Sequence, residues 1–255
     1  FDAVHSYRSE VLAYAPSPGV PAYVEAVQRY YQRIGAPLAE GDILATTGGS
    51  EALQMAMSCI LDEGDEILIP EPFYTNYNTF VHVAGGSIRP VPSSPEEGYR
   101  YAERSRIEPL ITERTRAILV TNPGNPTGTV LTPEEMQLIA DIAREHGLFL
   151  VADEVYREFV YGGEPLSTFL TIPGIEENLI VVDSVSKRFS ACGARVGALI
   201  SRNPEFIAQA MKLCQGRLCS ATLDQLGASA LYSVDPDYFN ATRDEYRRRR
   251  NACVE

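Results

Sequence analysis

The stretch Leu179-Ile180-Val181-Val182-Asp183-Ser184-Val185-Ser186-Lys187-Arg188-Phe189, continued by Ser190-Ala191-Cys192-Gly193-Ala194-Arg195, runs from an apolar segment into a lysine-bearing turn. Four large apolar residues in a row, Leu179 to Val182, read as a buried strand. Lys187 lies just past the end of that strand, with the hydroxyl of Ser184 three residues before it and Arg195 eight residues after it. An amine held in this way can form an imine with an aldehyde cofactor, while the serine and the arginine hold that cofactor's phosphate. Most lysines are solvated surface charges. Whether Lys187 differs depends on what the other strands bring beside it.

Working outward, the same strand-then-loop pattern recurs. Ile43-Leu44-Ala45 is a short strand that enters Thr46-Thr47-Gly48-Gly49-Ser50. Glu66-Ile67-Leu68-Ile69 enters Pro70-Glu71-Pro72-Phe73-Tyr74, and Ser87 to Val91 forms another strand. Ala117-Ile118-Leu119-Val120 leads into Thr121-Asn122-Pro123-Gly124-Asn125-Pro126-Thr127-Gly128, where dense turn formers fix a rigid loop and present an asparagine from a set position. Leu148-Phe149-Leu150-Val151 closes with Asp153-Glu154-Val155-Tyr156, and an acid there needs a partner or solvent. Val196 to Ile200 is the last strand. Helices are predicted from Pro21 to Gly35, where Tyr23, Val27, Tyr30 and Ile34 share a face, and from Glu51 to Leu61. Another begins at the capping box Thr132-Pro133-Glu134-Glu135 and ends at Gly147. Helices over 203–215 and 223–233 precede a final arginine-rich one, whereas Val11 to Gly19 reads as a Pro/Gly loop. Seven strands mostly separated by helices predict an α/β fold with a largely parallel sheet covered on both faces.

Composition narrows the function classes. With 255 residues the chain can bury a sizeable core. Its hydrophobic content of 45% and charged content of 22% are those of an ordinary globular protein. No apolar run reaches the roughly 18 residues of a membrane span. A net charge of −12 argues against nucleic-acid binding, which depends on phosphate neutralisation. The run Arg247-Arg248-Arg249-Arg250 has Asp244 and Glu245 beside it and reads as a mixed-charge helix face. The five cysteines, odd in number and without a CxxC pair, read as reduced thiols of a cytoplasmic protein. The three histidines have no metal-ligand spacing, so no metal site is indicated. Dinucleotide and Walker-type glycine loops are absent from the sequence.

Gly49, Ser50, Tyr74, Asn125, Asp153, Tyr156, Ser184 and Lys187 all fall just past strand carboxyl ends, which line the ligand crevice of an open α/β sheet. The Gly-Gly-Ser junction between a strand and a helix suits an anion, although two glycines can equally make only a tight turn. Tyr74 is placed either to stack on a flat ring or to pack in the core. In combination, Gly-Gly-Ser-Glu-Ala (49 and its neighbours), Asn-Pro-Gly-Asn-Pro-Thr-Gly (122–128), Asp-Glu-Val-Tyr (153–156) and Ser-Val-Ser-Lys (184–187) with Arg195 are specific. The chain resembles the large domain of the fold-type I pyridoxal-phosphate enzymes, in the class I/II aminotransferase group of aspartate and aromatic aminotransferases.

That resemblance implies a three-layer α-β-α sandwich around a mostly parallel seven-stranded sheet with one antiparallel strand. It implies pyridoxal 5'-phosphate as cofactor and transfer of an amino group between an L-amino acid and a 2-oxo acid through a Lys187 aldimine. Asp153 would pair with the pyridinium nitrogen, and Asn125 and Tyr156 would bond the phenolic oxygen. Tyr74 would stack on the ring. Gly49, Ser50, Ser184 and Arg195 would hold the phosphate, with Tyr14 reaching the phosphate of the partner subunit in a homodimer. Residues 1–20 would be a segment contributing to the dimer, 21–234 the cofactor-binding large domain and 235–255 the start of an interdomain helix. The C-terminal small domain would be absent from this chain. A C–S β-lyase or a decarboxylase on the same platform, or a non-catalytic sensor module, are the competing readings. Which amino acid serves as substrate stays open.

Overall fold

The computed structural model describes residues 2–162 and 166–254. Its centre is one seven-stranded sheet: β1 Ile43–Thr46, β2 Glu66–Glu71, β3 Ser87–Pro92, β4 Thr115–Thr121, β5 Phe149–Asp153, β6 Leu179–Ser184 and β7 Gly197–Ile200, in the order β1-β7-β6-β5-β4-β2-β3. Every expected strand is present. Only β7 runs against its neighbours, pairing antiparallel with both β1 and β6, while all other pairs are parallel.

The helices are α1 Asp2–His5, α2 Pro21–Arg33, α3 Gly48–Ile60, α4 Asn76–Val83, α5 Arg104–Ile107, α6 Pro133–Glu145, α7 Val185–Arg188, α8 Pro204–Gly216, α9 Thr222–Leu231 and α10 Asp237–Val254. Successive strand residues point to opposite faces, and each face has its own core. Ile118, Val120, Leu150, Ala152 and Val181 pack with α2, α6 and α9. Ala117, Leu119, Val151, Ile180 and Val182 pack with α3, α4 and α8. The result is the three-layer sandwich.

Four local findings bear on the sequence reading. The α6 capping box is present as expected: the Glu135 amide donates to Thr132 Oγ1 at 3.2 Å and the Thr132 amide to the Glu135 carboxylate at 2.8 Å. Helix α3 starts at Gly48, three residues earlier than Glu51, because Gly48 at φ +78° turns the chain straight out of β1. Helix α4 was not expected at all. Its buried Tyr77 and Val81 are four residues apart on one face. The mixed-charge reading of the arginine run holds, since Arg247 pairs with Asp244 and both Arg248 and Arg249 pair with Glu245 along α10.

The antiparallel strand matters for the site. Gly197 opens β7 opposite both Thr46, which ends β1, and Ser184, which ends β6. The segment entering β7 therefore lies at the same sheet edge as the carboxyl ends of β1, β2, β4, β5 and β6. A side chain at 197 has no room there: a Cβ would lie 2.7 Å from the Gly48 carbonyl carbon and 2.9 Å from the Gly49 amide nitrogen.

Candidate active site

Along that edge lies a cavity of about 690 Å³, counting its open mouth. Gly49, Ser50, Tyr74, Asn125, Asp153, Tyr156, Ser184, Lys187 and Arg195, nine of the ten candidates, line it together. The tenth, Tyr14, is 78% exposed and belongs to none of its walls.

Each element sets one side chain. Ser184 ends β6 and caps α7, its Oγ accepting the Ser186 amide at 3.1 Å while the hydroxyls of Ser184 and Ser186 lie 2.8 Å apart. One residue further on, the short helix presents Lys187 to the cavity. Among the described residues the Lys187 amine has no carboxylate partner and no hydrogen-bond acceptor; it lies 5.7 Å from the centre of the Tyr156 ring. Asn125 rides on a loop pinned to the sheet through the Asn122 amide, which donates to the Asp153 carbonyl at 3.0 Å. Within that loop the Leu131 amide donates to the side-chain oxygen of buried Asn122 at 3.0 Å.

At the opposite end the first turn of α3 offers unpaired backbone amides at Gly49 and Ser50, where the helix dipole is positive. Arg195 overhangs this turn. Its guanidinium donates to the Cys192 carbonyl at 2.9 Å and reaches the Thr47 carbonyl at 3.5 Å. A Cβ at residue 48 would run into that guanidinium, so glycine is required for the approach as well as for its positive φ. Arg195 itself sits at φ 52°, a left-handed conformation that a non-glycine residue holds only where its surroundings enforce it.

Asp153 is the electrostatic focus. Burial pushes its pKa from 3.8 up to about 6; the Tyr77 hydroxyl and the Val155 amide pull the other way. Tyr77 donates to Asp153 Oδ2 at 2.8 Å and its oxygen lies 2.6 Å from Thr121 Oγ1. Burial first, then the Asp153 charge, drives the Tyr77 pKa well above 10.0, so its hydroxyl stays a donor. No cation pairs with Asp153 among the described residues, which leaves a buried carboxylate aimed into a cavity without a positive partner.

Sequence reasoning missed Tyr77 and Ser186, both of which line the cavity. Tyr77 was hidden with α4, although its spacing to Val81 was a usable signal. Ser186 had no assigned role. Tyr74 combines the two readings left open for it: it faces the cavity and packs edge-on against Tyr77, with ring centres 5.5 Å apart. A second hollow of about 1060 Å³ shares Tyr156, Ser186, Lys187 and Cys192 with the first and is walled by Phe159, Tyr161 and Tyr246, so Lys187 is reachable from two sides.

The residues present fit a phosphorylated heteroaromatic aldehyde: one cavity is lined by an anion cradle, an amine without a carboxylate partner among the described residues, and a buried carboxylate without a cation among them. Comparison with known proteins gives the family. The family profile described as "Aminotransferase class I and II" matches residues 4–255. The chain is 32% identical to the putative aminotransferase YugH of Bacillus subtilis over 99% of its own length and 66% of that protein. It is also 32% identical to the aspartate/prephenate aminotransferase of Thermus thermophilus over 95% of its own length and 63% of that protein. Among solved structures, the aromatic aminotransferase of Pyrococcus horikoshii superposes with a TM-score of 0.89 at 30% identity, covering 95% of this chain and 65% of that one. The chain thus spans just under two thirds of the length of these relatives. With the profile matched almost end to end and the fold shared, the chain belongs to the class I and II aminotransferase family.

Proposed function

We propose that the cavity binds pyridoxal 5'-phosphate and that the protein is an aminotransferase, moving an amino group between an L-amino acid and a 2-oxo acid. The observation that carries this reading is the sharing of one cavity by the unpaired Lys187 amine and the buried, cation-free Asp153 carboxylate. Bound pyridoxal phosphate supplies an electron sink that makes a carbon next to an amino group acidic.

The residues of this chain do the rest. Asp153 holds a proton on the ring nitrogen, and Tyr77 keeps the Asp153 carboxylate oriented toward it. Asn125 and Tyr156, which line the same cavity, would hydrogen-bond the ring's phenolic oxygen, and Tyr74 would pack against the ring. The Gly49 and Ser50 amides, the Ser184 and Ser186 hydroxyls and Arg195 bind the phosphate, with Arg195 as the fixed charge. With the cofactor bound, Lys187 Nζ would hold it in place and would be the base positioned to move a proton at the substrate carbon.

The same reading divides the chain into residues 1–20 as a dimer-contributing segment, 21–234 as the cofactor-binding domain and 235–255 as the start of an interdomain helix. The exposure of Tyr14 supports its donation to the phosphate of a second copy, hence a homodimer with shared sites. The free thiols support a reducing, cytoplasmic setting. No helix among the described residues is long and apolar enough to cross a membrane.

The test is direct. Purified full-length protein mixed with pyridoxal phosphate develops a visible absorption band that Lys187→Ala abolishes. With an amino acid and 2-oxoglutarate it forms glutamate. No band would refute the site; pyruvate and ammonia in place of glutamate would point to a lyase.

A further inference from the structure

Directly behind the cavity lies a second group of charges, fully buried. Arg188 is 1% exposed and reaches Asp183 through one guanidinium nitrogen, which donates to both carboxylate oxygens at 2.8 Å each. Arg157, also 1% exposed, donates to Asp183 Oδ2 at 3.1 Å and pairs closely with Glu154. Tyr31 donates to Asp183 at 2.9 Å, and the Arg188 guanidinium lies over the Tyr30 ring at 4.0 Å. Glu154 also accepts the Phe169 amide at 2.8 Å. The set holds two arginines and two carboxylates.

Its members are not scattered. Each is the chain neighbour of a residue that lines the cavity: Glu154 of Asp153, Arg157 of Tyr156, Asp183 of Ser184 and Arg188 of Lys187. Alternation along β5 and β6, and the single turn of α7, send one side chain of each pair into the cavity and the other into the cluster. Burying four charges is expensive even when they are paired, and apolar residues of similar volume often serve stability equally well. A cluster kept in this place therefore calls for a role besides stability.

We propose that Asp183, Arg188 and Arg157 form an electrostatic clamp of positioning residues that ties the Lys187 turn to the end of β5 and sets the charge felt by the cofactor nitrogen at Lys187. The proposal rests on the cofactor reading above. Asp183 bonds both arginines and, through Oδ1, the Ser184 amide at 2.7 Å, so the α7 cap and the β5 loop share one anchor. Burial pushes the Asp183 carboxyl up, but the two guanidiniums more than offset this and hold it below its usual range. The negative charge behind the site is thereby fixed and balanced. Among the described residues, the charged and titratable groups facing Lys187 are Tyr74, Tyr77, Asp153, Tyr156, Cys192 and Arg195 across the cavity, and Tyr161 and Tyr246 across the second hollow. Those behind it are the four members of the cluster with Tyr30, Tyr31, Tyr232, Glu158 and Arg243 at its rim.

The test follows the pH midpoint of the bound cofactor's absorption band in full-length protein loaded with pyridoxal phosphate, with circular dichroism to verify folding. Arg188→Met leaves an excess negative charge and raises the midpoint; Asp183→Asn leaves an excess positive charge and lowers it. Each shift is on the order of one pH unit, because at an effective dielectric of about 20 a unit charge contributes that much at separations up to about 12 Å. The neutral double variant Asp183→Asn/Arg188→Met restores the midpoint. Arg188→Lys keeps the charge and the midpoint but loses the planar guanidinium that lies over the Tyr30 ring and reaches the Tyr232 hydroxyl, and it releases cofactor about three- to ten-fold faster. A purely structural role predicts lower stability with one unchanged midpoint, and that result, or shifts of the same sign, overturns the clamp. If Arg188→Met does not fold, Asp183→Asn and the double variant decide it alone. Wild-type protein without a band would sink the cofactor reading itself; a wild-type band with unshifted variants would sink only the clamp.

Discussion

Asp153→Asn should make the cofactor-free protein more stable at neutral pH while ruining its function. Burial raises the Asp153 pKa from 3.8 to about 6. The folded state therefore holds the proton more tightly than the unfolded chain does. The stabilisation associated with that proton is complete below pH 3.8 and disappears as pH rises through about 6. A shift of roughly two units corresponds to about 3 kcal/mol lost by the wild type above pH 7, of which about half is already lost at pH 5. Asparagine has nearly the same shape, keeps an oxygen for the Tyr77 hydroxyl and carries no charge to bury. The expected gain is about 1–2 kcal/mol at pH 5 and about 3 kcal/mol at pH 8, the latter on the order of 6–12 °C in Tm for a domain of this size. Urea unfolding of both cofactor-free proteins across that range measures it. Saturating pyridoxal phosphate should reverse the order, because only the wild-type carboxylate then gains a cationic partner. An Asp153→Asn effect that does not change between pH 5 and 8 would refute the assignment of burial as the dominant cause.

Three further outcomes are expected. Tyr77→Phe removes a hydrogen bond to a charged acceptor, a contact worth about 1.5–3 kcal/mol, so the Asp153 midpoint read by carbon-13 NMR should rise by about one to two units; an unchanged midpoint would show that the bond does not act on the carboxylate. Gly48→Ala meets both a left-handed backbone and the Arg195 guanidinium, and should cost about 1–2 kcal/mol of stability and at least about ten-fold in pyridoxal phosphate affinity by fluorescence titration. Tyr14→Phe, at a highly exposed residue, should leave the unfolding free energy within about 0.5 kcal/mol of wild type and still weaken cofactor retention, whereas equal retention would remove Tyr14 from the site.

The strands could be read because the physics at each is local. Ala117 to Val120 and Leu179 to Val182 are apolar without interruption, as strands covered on both faces must be, and both are fully buried. Helix α4 escaped because its signal is weak over eight residues and because Pro70 and Pro72, just upstream, mark the region as loop. The antiparallel direction of β7 was not contained in Val196 to Ile200 at all. It came from the family resemblance, and the short link from β6 through α7 is what makes the reversal possible.

The candidate site residues were named by motif, and a motif does not say which of two adjacent charges faces the cavity. Asp153 and Glu154 are both acidic, both buried and both at the end of β5. The rule that separates them is the two-residue period of the strand. Val151 belongs to the face covered by α3, α4 and α8, and Asp153, two residues on, continues it to meet Tyr77 of α4. Ala152 belongs to the face covered by α2, α6 and α9, and Glu154 continues that one into the arginine cluster beneath Tyr31 of α2. On β6 the same count sends Val182 and Ser184 to the cavity side and Val181 and Asp183 to the other. Parity alone thus predicts that Glu154 and Asp183 lie on the far side of the sheet from the cavity. Two buried carboxylates side by side require cations, and Arg157 and Arg188 are the residues in the following turns that can turn back to meet them.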